Sequence, residues 1–260
     1  MMMKKFSRIL SLLLLPLVLT STVCTSCEAR VRQYKLKVVN EYPHDHNAYT
    51  QGLFFYNGNL YETTGQYGES TLRRVDLSTG VPAENLKFNK KYFAEGSAEL
   101  DGKIYVLTWE SKVAFVYDAA TMTYEKAYSY PREGWGLTTD GKNLIASDGS
   151  SRLYFLDRDF KLQRSVMVRL DGRPVHYLNE LEYIDGKVWA NMYLSDLIFI
   201  IDPETGNIEA AIDCANLLDN DLREDNTDVL NGIAYNPETK KIYLTGKNWP
   251  RLFEVKLVQK

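Results

Sequence analysis

The stretch Gly58-Asn59-Leu60-Tyr61 returns four times along the chain, as Gly102-Lys103-Ile104-Tyr105, Lys142-Asn143-Leu144-Ile145, Gly186-Lys187-Val188-Trp189 and Lys240-Lys241-Ile242-Tyr243. Each copy is a turn followed by a short apolar or aromatic strand, and the aligned Leu, Ile or Val positions lie 44, 40, 44 and 54 residues apart. A second series follows in the same register: Val75-Asp76, Tyr117-Asp118, Leu156-Asp157 and Ile201-Asp202 end in an acid, whereas the last copy is Val255-Lys256. A third series precedes the first, with Gly52-Leu53-Phe54, Gly96-Ser97-Ala98, Gly136-Leu137-Thr138, Glu180-Leu181-Glu182 and Gly232-Ile233-Ala234 opening strands, most of them on small residues. A fourth strand is expected at Thr123 to Tyr128, Leu162 to Val168 and Asn207 to Ile212, with a less regular version near Asn85 to Tyr92.

Four strands in a unit of roughly 40 to 45 residues, with almost no helical periodicity, predict an all-β, five-bladed β-propeller. The fifth unit ends at Lys260 after three strands, while Tyr34 to Glu41 alternate like a strand that belongs to no complete unit. The economical arrangement has that N-terminal strand complete the last blade and close the ring, leaving no open sheet edge. The extra length before the last unit falls in the acidic stretch Asp213 to Asp228, read as a surface loop with room for a short helix.

The remaining composition bounds the function. The chain has 260 residues, 45% hydrophobic and 25% charged, proportions of a globular protein. Lys4, Lys5 and Arg8 precede an apolar run from Ile9 to Leu19 and a small, polar stretch from Thr20 to Ser26, the three-part layout of an export signal. Residues 1–26 are therefore expected to be a leader and residues 27–260 a single propeller domain. Cys27 is a candidate lipidation site that would anchor the protein to a membrane, with free secretion as the alternative, so a periplasmic, cell-envelope or secreted location is expected. The formal charge of −3 becomes −6 without the leader, whose only charges are those three bases, and this argues against nucleic acid as a partner. Three cysteines cannot form a disulfide framework.

In a propeller the first strand of each blade lines the central channel, so residues at its entry converge. That position holds Gln51, Glu95, Trp135, Asn179 and Asn231. The end of the second strand lies beside it and supplies Gly65, Trp109, Gly149, Tyr193 and Lys247. One acid, one base, amides and an aromatic wall on a common rim suit a small-ligand pocket. Glu95, flanked by Phe93, Ala94 and Gly96, is expected to be partly desolvated, which favours its protonated form and fits it for proton exchange near neutral pH. His44 and His46 form a His-Asp-His element, but two imidazoles one residue apart make no zinc site alone, and a surface or loop role is expected. No cofactor or metal is expected for catalysis, and a structural ion in the central tunnel is left open.

These residues resemble the plant-type and bacterial glutaminyl-peptide cyclotransferases, also called glutamine cyclotransferases. The resemblance runs from Tyr34 to Lys260 and rests on Tyr49-Thr50-Gln51-Gly52-Leu53, Phe93-Ala94-Glu95-Gly96, Leu107-Thr108-Trp109, Gly134-Trp135-Gly136-Leu137, Leu178-Asn179-Glu180-Leu181-Glu182-Tyr183, Val188-Trp189-Ala190-Asn191, Leu230-Asn231-Gly232-Ile233-Ala234 and Thr245-Gly246-Lys247-Asn248-Trp249-Pro250 in that order. It implies a five-bladed propeller that converts an N-terminal glutamine of a peptide into pyroglutamate with release of ammonia. It also implies Glu95 as the acid/base, Gln51, Asn179 and Lys247 as polar partners, and Phe93, Trp109 and Trp135 as walls; the chemistry of ring closure makes Lys247 and Asn179 the candidates to hydrogen-bond the amide oxygen as it gains negative charge, and spacing does not choose between them. Tyr193 stands where the plant pattern has Trp, and Tyr49 where it has Phe. The implied partner is a peptide or protein with N-terminal glutamine, acted on by a monomer. Two rival readings remain: a non-catalytic surface propeller that binds peptide or glycan, and a calcium-dependent propeller hydrolase, which would need ligands where Trp135 and Lys247 stand.

Overall fold

The computed structural model describes residues 31–260, so the leader and Cys27 lie outside the described residues. The architecture is all-β, and among the described residues the one helical element is a 3-10 turn at Asn220–Leu222. It sits in the Asp213 to Asp228 excursion.

Strand β1 (Arg32–Pro43) opens the chain. A first meander follows: β2 (Thr50–Tyr56), β3 (Asn59–Thr64), β4 (Thr71–Val75) and β5 (Pro82–Lys87). The second is β6 (Ala94–Leu100), β7 (Lys103–Thr108), β8 (Val113–Asp118) and β9 (Tyr124–Ser129). The third is β10 (Leu137–Thr139), β11 (Leu144–Ala146), β12 (Arg152–Leu156) and β13 (Leu162–Met167). After a small hairpin, β14 (Arg169–Leu170) and β15 (Arg173–Pro174), the fourth is β16 (Leu178–Ile184), β17 (Lys187–Met192), β18 (Leu197–Ile201) and β19 (Ile208–Asp213). The last comprises β20 (Leu230–Asn236), β21 (Lys241–Gly246) and β22 (Arg251–Gln259). The irregular fourth strand of the first unit lies at Pro82–Lys87, earlier than the Asn85 to Tyr92 expected from sequence; Phe88 and Tyr92 leave the strand and pack their rings on Phe115.

The quoted repeat is a tight hairpin. Asn57 and Gly58 both take positive φ, as do Asp101 and Gly102, and Asp185 and Gly186, each pair bridging directly opposed residues. Two left-handed residues in succession match the right-handed twist of the strands they join, which is why Asn-Gly and Asp-Gly recur there. The repeated acids have a separate cause. Asp76, Asp118, Asp157 and Asp202 each accept backbone N–H groups two to four residues on, forming the turn between third and fourth strands. Lys256 breaks the series because β22 makes no turn there; it runs on to Gln259 and pairs antiparallel with β1.

β1 also pairs in parallel with β19, from Arg32 opposite Ala210 to Lys35 opposite Asp213. One strand thus joins the fourth and last meanders into an eight-stranded sheet, beside three separate four-stranded sheets. The first strands pack side by side in the order β2, β6, β10, β16 and β20, and β20 returns to β2, a nearly closed, barrel-like succession. Apolar clusters fill the gaps between neighbouring meanders. Phe54, Leu72, Ile104 and Val106 pack between the first and second, and Leu53, Leu60, Ala234 and Tyr243 between the first and last.

Carboxyl groups supplement this packing at the centre. Glu180 on β16 accepts the backbone N–H groups of Leu53 at 3.4 Å and Ile233 at 2.9 Å, reaching both β2 and β20. Glu182, on the same face one pleat further, accepts Tyr235 N–H at 2.8 Å and Thr138 Oγ1 at 3.2 Å. Burial raises both acids, Glu182 to about 8 and Glu180 well above the usual carboxylate range.

Candidate active site

At one end of these first strands a cavity of about 190 Å³ is lined by Tyr49, Gln51, Phe93, Glu95, Trp109, Trp135, Asn179, Tyr193 and Lys247. These are the nine pocket residues named from the sequence, contributed by all five meanders. Pockets for drug-sized ligands run to about 300–1,000 Å³, so this one suits a single side chain and its reacting atoms.

The strands aim these groups inward by breaking register. Pairing of β2 with β3 slips between Thr50 and Gly52, leaving Gln51 as the extra residue. Similar slips enclose Glu95 on β6, Asn179 on β16 and Asn231 on β20. A bulge redirects a side chain and ends regular pairing, as needed at the mouth of a sheet. Two glycines of the second ring make room for the walls: a side chain on Gly65 would collide with the Phe93 ring, and one on Gly149 with the Trp135 indole.

Gln51, Glu95, Asn179 and Lys247 are at most 5% exposed. Burial pushes the Glu95 carboxyl well above its ordinary pKa, against the pull of the Lys247 ammonium and the Gln51 amide, while Glu133 adds to the rise. Lys247 is lowered by its own burial, with Glu95 and Asp228 resisting. Its Nζ has no carboxylate within ion-pair distance among the described residues and lies instead over the rings of Tyr49, 4.7 Å from the centroid, and Tyr193, 5.1 Å. A cation over aromatic faces is attracted by the rings while its N–H groups remain free for another acceptor. Both tyrosines at the positions that depart from the plant pattern therefore cradle the base. The Tyr49 hydroxyl also donates to Asp228 Oδ2 at 3.1 Å, a bond that a Phe could not make.

Asn231, the fifth member of the first ring, stays behind the cavity. Its amide donates to Thr50 O at 2.9 Å and Gln51 Oε1 at 3.2 Å, which turns the Gln51 NH₂ toward Glu95. Phe93 packs edge-on against Tyr49 and Trp109, and Trp135 against Tyr193, so the walls brace one another. Sequence reasoning missed Glu133 and assigned no role to Asp228; both lie in connecting segments outside the repeated positions. Among the described residues no group of three His, Cys, Asp or Glu is arranged to hold a metal ion. His44 lies in the loop between β1 and β2, as one of the two expected roles had it, but it is not at the surface: it is buried, bonded to Trp249 O at 2.7 Å and Glu62 Oε1 at 3.1 Å. His46 is exposed and pairs with Glu224.

Known proteins resemble this chain in sequence and in fold. Residues 10–257 match the family model described as glutamine cyclotransferase. The chain is 40% identical over 240 residues to a glutaminyl-peptide cyclotransferase of Arabidopsis thaliana, covering 90% of this chain and 75% of that protein. The crystal structure of Myxococcus xanthus glutaminyl cyclase superposes with a TM-score of 0.82 at 37% identity, covering 88% of this chain and 99% of that one. Matched over nearly its whole length, the chain belongs to the glutamine cyclotransferase family.

Proposed function

We propose that this protein is a glutaminyl-peptide cyclotransferase, closing the N-terminal glutamine of peptides and proteins to pyroglutamate with release of ammonia, on a five-bladed β-propeller spanning residues 27–260. The observation that carries the reading is the buried Glu95 beside Lys247 in a cavity of one-side-chain size, within a chain of this family. The substrate's α-amine attacks its own side-chain amide carbon, so the aromatic walls first hold that side chain folded back. An α-amine with pKa about 8 is partly neutral at pH 7 and needs only modest help. As the new C–N bond forms, Glu95 accepts the proton that the attacking nitrogen loses; as the old C–N bond breaks, Glu95 returns it to the departing nitrogen, which leaves as ammonia. Lys247 and Asn179 donate to the amide oxygen while it carries negative charge. Among the described residues, neither side chain has a hydrogen bond or ion pair to break in doing so.

This assignment requires no metal or cofactor for proton transfer. The leader pattern of residues 1–26 supports export, with Cys27 as a lipid anchor, and the clients would be exported proteins that expose glutamine after processing. A peptide- or glycan-binding surface protein would have no use for a buried, proton-exchanging carboxyl. The test is to incubate the purified protein with a glutaminyl dipeptide and follow ammonia together with a mass loss of about 17 Da, that of ammonia. Coupled release and mass loss support the reading; an unaltered dipeptide refutes it.

A further inference from the structure

We infer that Glu133 is a positioning residue that holds two walls of the pocket at the spacing the substrate side chain requires. One carboxylate oxygen, Oε2, accepts the indole N–H of Trp109 at 3.0 Å and that of Trp135 at 3.2 Å. An indole can only donate, and a carboxylate can accept several donors, so a single exposed acid suffices to pin both rings. The two tryptophans come from different places in the fold. Trp109 follows β7, Trp135 precedes β10, and Glu133 lies in the link between β9 and β10.

The backbone fixes the carboxylate relative to both rings. Gly134 donates its N–H to Thr108 O at 3.0 Å, and a side chain there would collide with Leu107, so the link is pressed against the end of β7. Trp109 N–H is held by Phe93 O at 3.1 Å and Trp135 N–H by Ser147 O at 3.2 Å. The main chain thereby sets where each indole starts, and Glu133 sets where each plane points. Without it, both half-exposed rings are held by edge-on ring packing alone, and the gap between them loses its fixed width.

This inference rests on the proposed cyclisation, and its test separates the two. Wild-type protein that fails to cyclise a glutaminyl dipeptide refutes the function and leaves the fluorescence readout intact. Of the four tryptophans, Trp189 and Trp249 are buried, so iodide quenching reports on Trp109 and Trp135. Glu133→Ala should raise KM by about tenfold with a smaller change in kcat, the size expected from losing hydrogen bonds to a charged acceptor, and should increase iodide quenching. Glu133→Gln keeps a carbonyl oxygen for the indoles and should restore both KM and quenching toward wild type. Unchanged KM and quenching in Glu133→Ala would overturn the inference, as would a Glu133→Gln that behaves like Glu133→Ala.

Discussion

The Glu95 carboxyl and the Lys247 ammonium act on each other across the cavity, and that coupling has a measurable sign. Burial raises Glu95, and Lys247 pulls it back. Removing the positive charge while keeping an apolar stem, as in Lys247→Met, takes away the opposing influence. The acidic limb of the kcat/KM profile, which reports the free enzyme's essential groups, should then move to higher pH while kcat falls. A limb that stays in place, followed over a pH series with a glutaminyl peptide, would show that Lys247 does not face Glu95 in solution. The same pair illustrates what was readable beforehand. Gln51, Glu95 and Asn179 recur at one register of the repeat and Lys247 at a second register beside it, so their convergence could be argued from spacing alone. Glu133 and Asp228 could not, because each sits in a connection whose path depends on tertiary contacts. Asn231 shared the register yet faces Gln51, since a bulge can turn a side chain either way and the sequence pattern does not encode which.

At the scale of single strands and turns, the site is held by a buried ionic network behind it. Glu62 on β3 meets His44 at 3.1 Å, Arg73 of β4 at 2.8 Å and the hydroxyl of Thr50 at 2.7 Å, next to Gln51. Arg73 also pairs with Asp45 at 2.8 Å. Burial alone would raise the Glu62 pKa, but Arg73 and His44 hold it below the usual range. The stability it contributes is therefore present above its unfolded value near 4.5 and is lost as pH falls through the depressed folded value. Glu62→Gln leaves Arg73 short of its buried partner and should cost about 3 kcal/mol in chemical denaturation near neutral pH. A change under about 0.5 kcal/mol would mean that the network is solvated after all. Hairpin positions and repeated acids were legible at this scale because local turn chemistry decides them. The burial of His44 was not, because its partners Glu62 and Trp249 are distant in sequence or belong to another strand.

Across the whole molecule, the protein depends on groups that reach from one meander to others. The pairing of the N-terminal strand with the last unit was foreseeable from a unit lacking its fourth strand. The parallel pairing of β1 with β19 was not, since a strand that alternates in sequence does not reveal what lies on its second edge. Nor did the motif around Glu180 and Glu182 announce that their carboxyls accept backbone N–H groups of β2 and β20. Burial pushes the Glu182 carboxyl up from its ordinary 4.5 to about 8. A raised carboxyl contributes stability fully below its unfolded pKa and loses it as pH climbs through the folded one. Thermal stability should accordingly decline as pH rises from about 4.5 to about 8 and level off above it, and Glu182→Gln, which cannot ionise, should flatten that decline. An equally steep fall in the variant would place that weakness elsewhere.

The central claim is that one buried carboxyl moves the proton that cyclisation must relocate. Its most direct measurement is the turnover of a glutaminyl dipeptide by Glu95→Gln, with circular dichroism confirming the β fold. The account predicts a kcat lower by about 10² to 10⁴, the range for loss of a general acid–base group, with the spectrum unchanged. A folded Glu95→Gln that releases ammonia at the wild-type rate would contradict it.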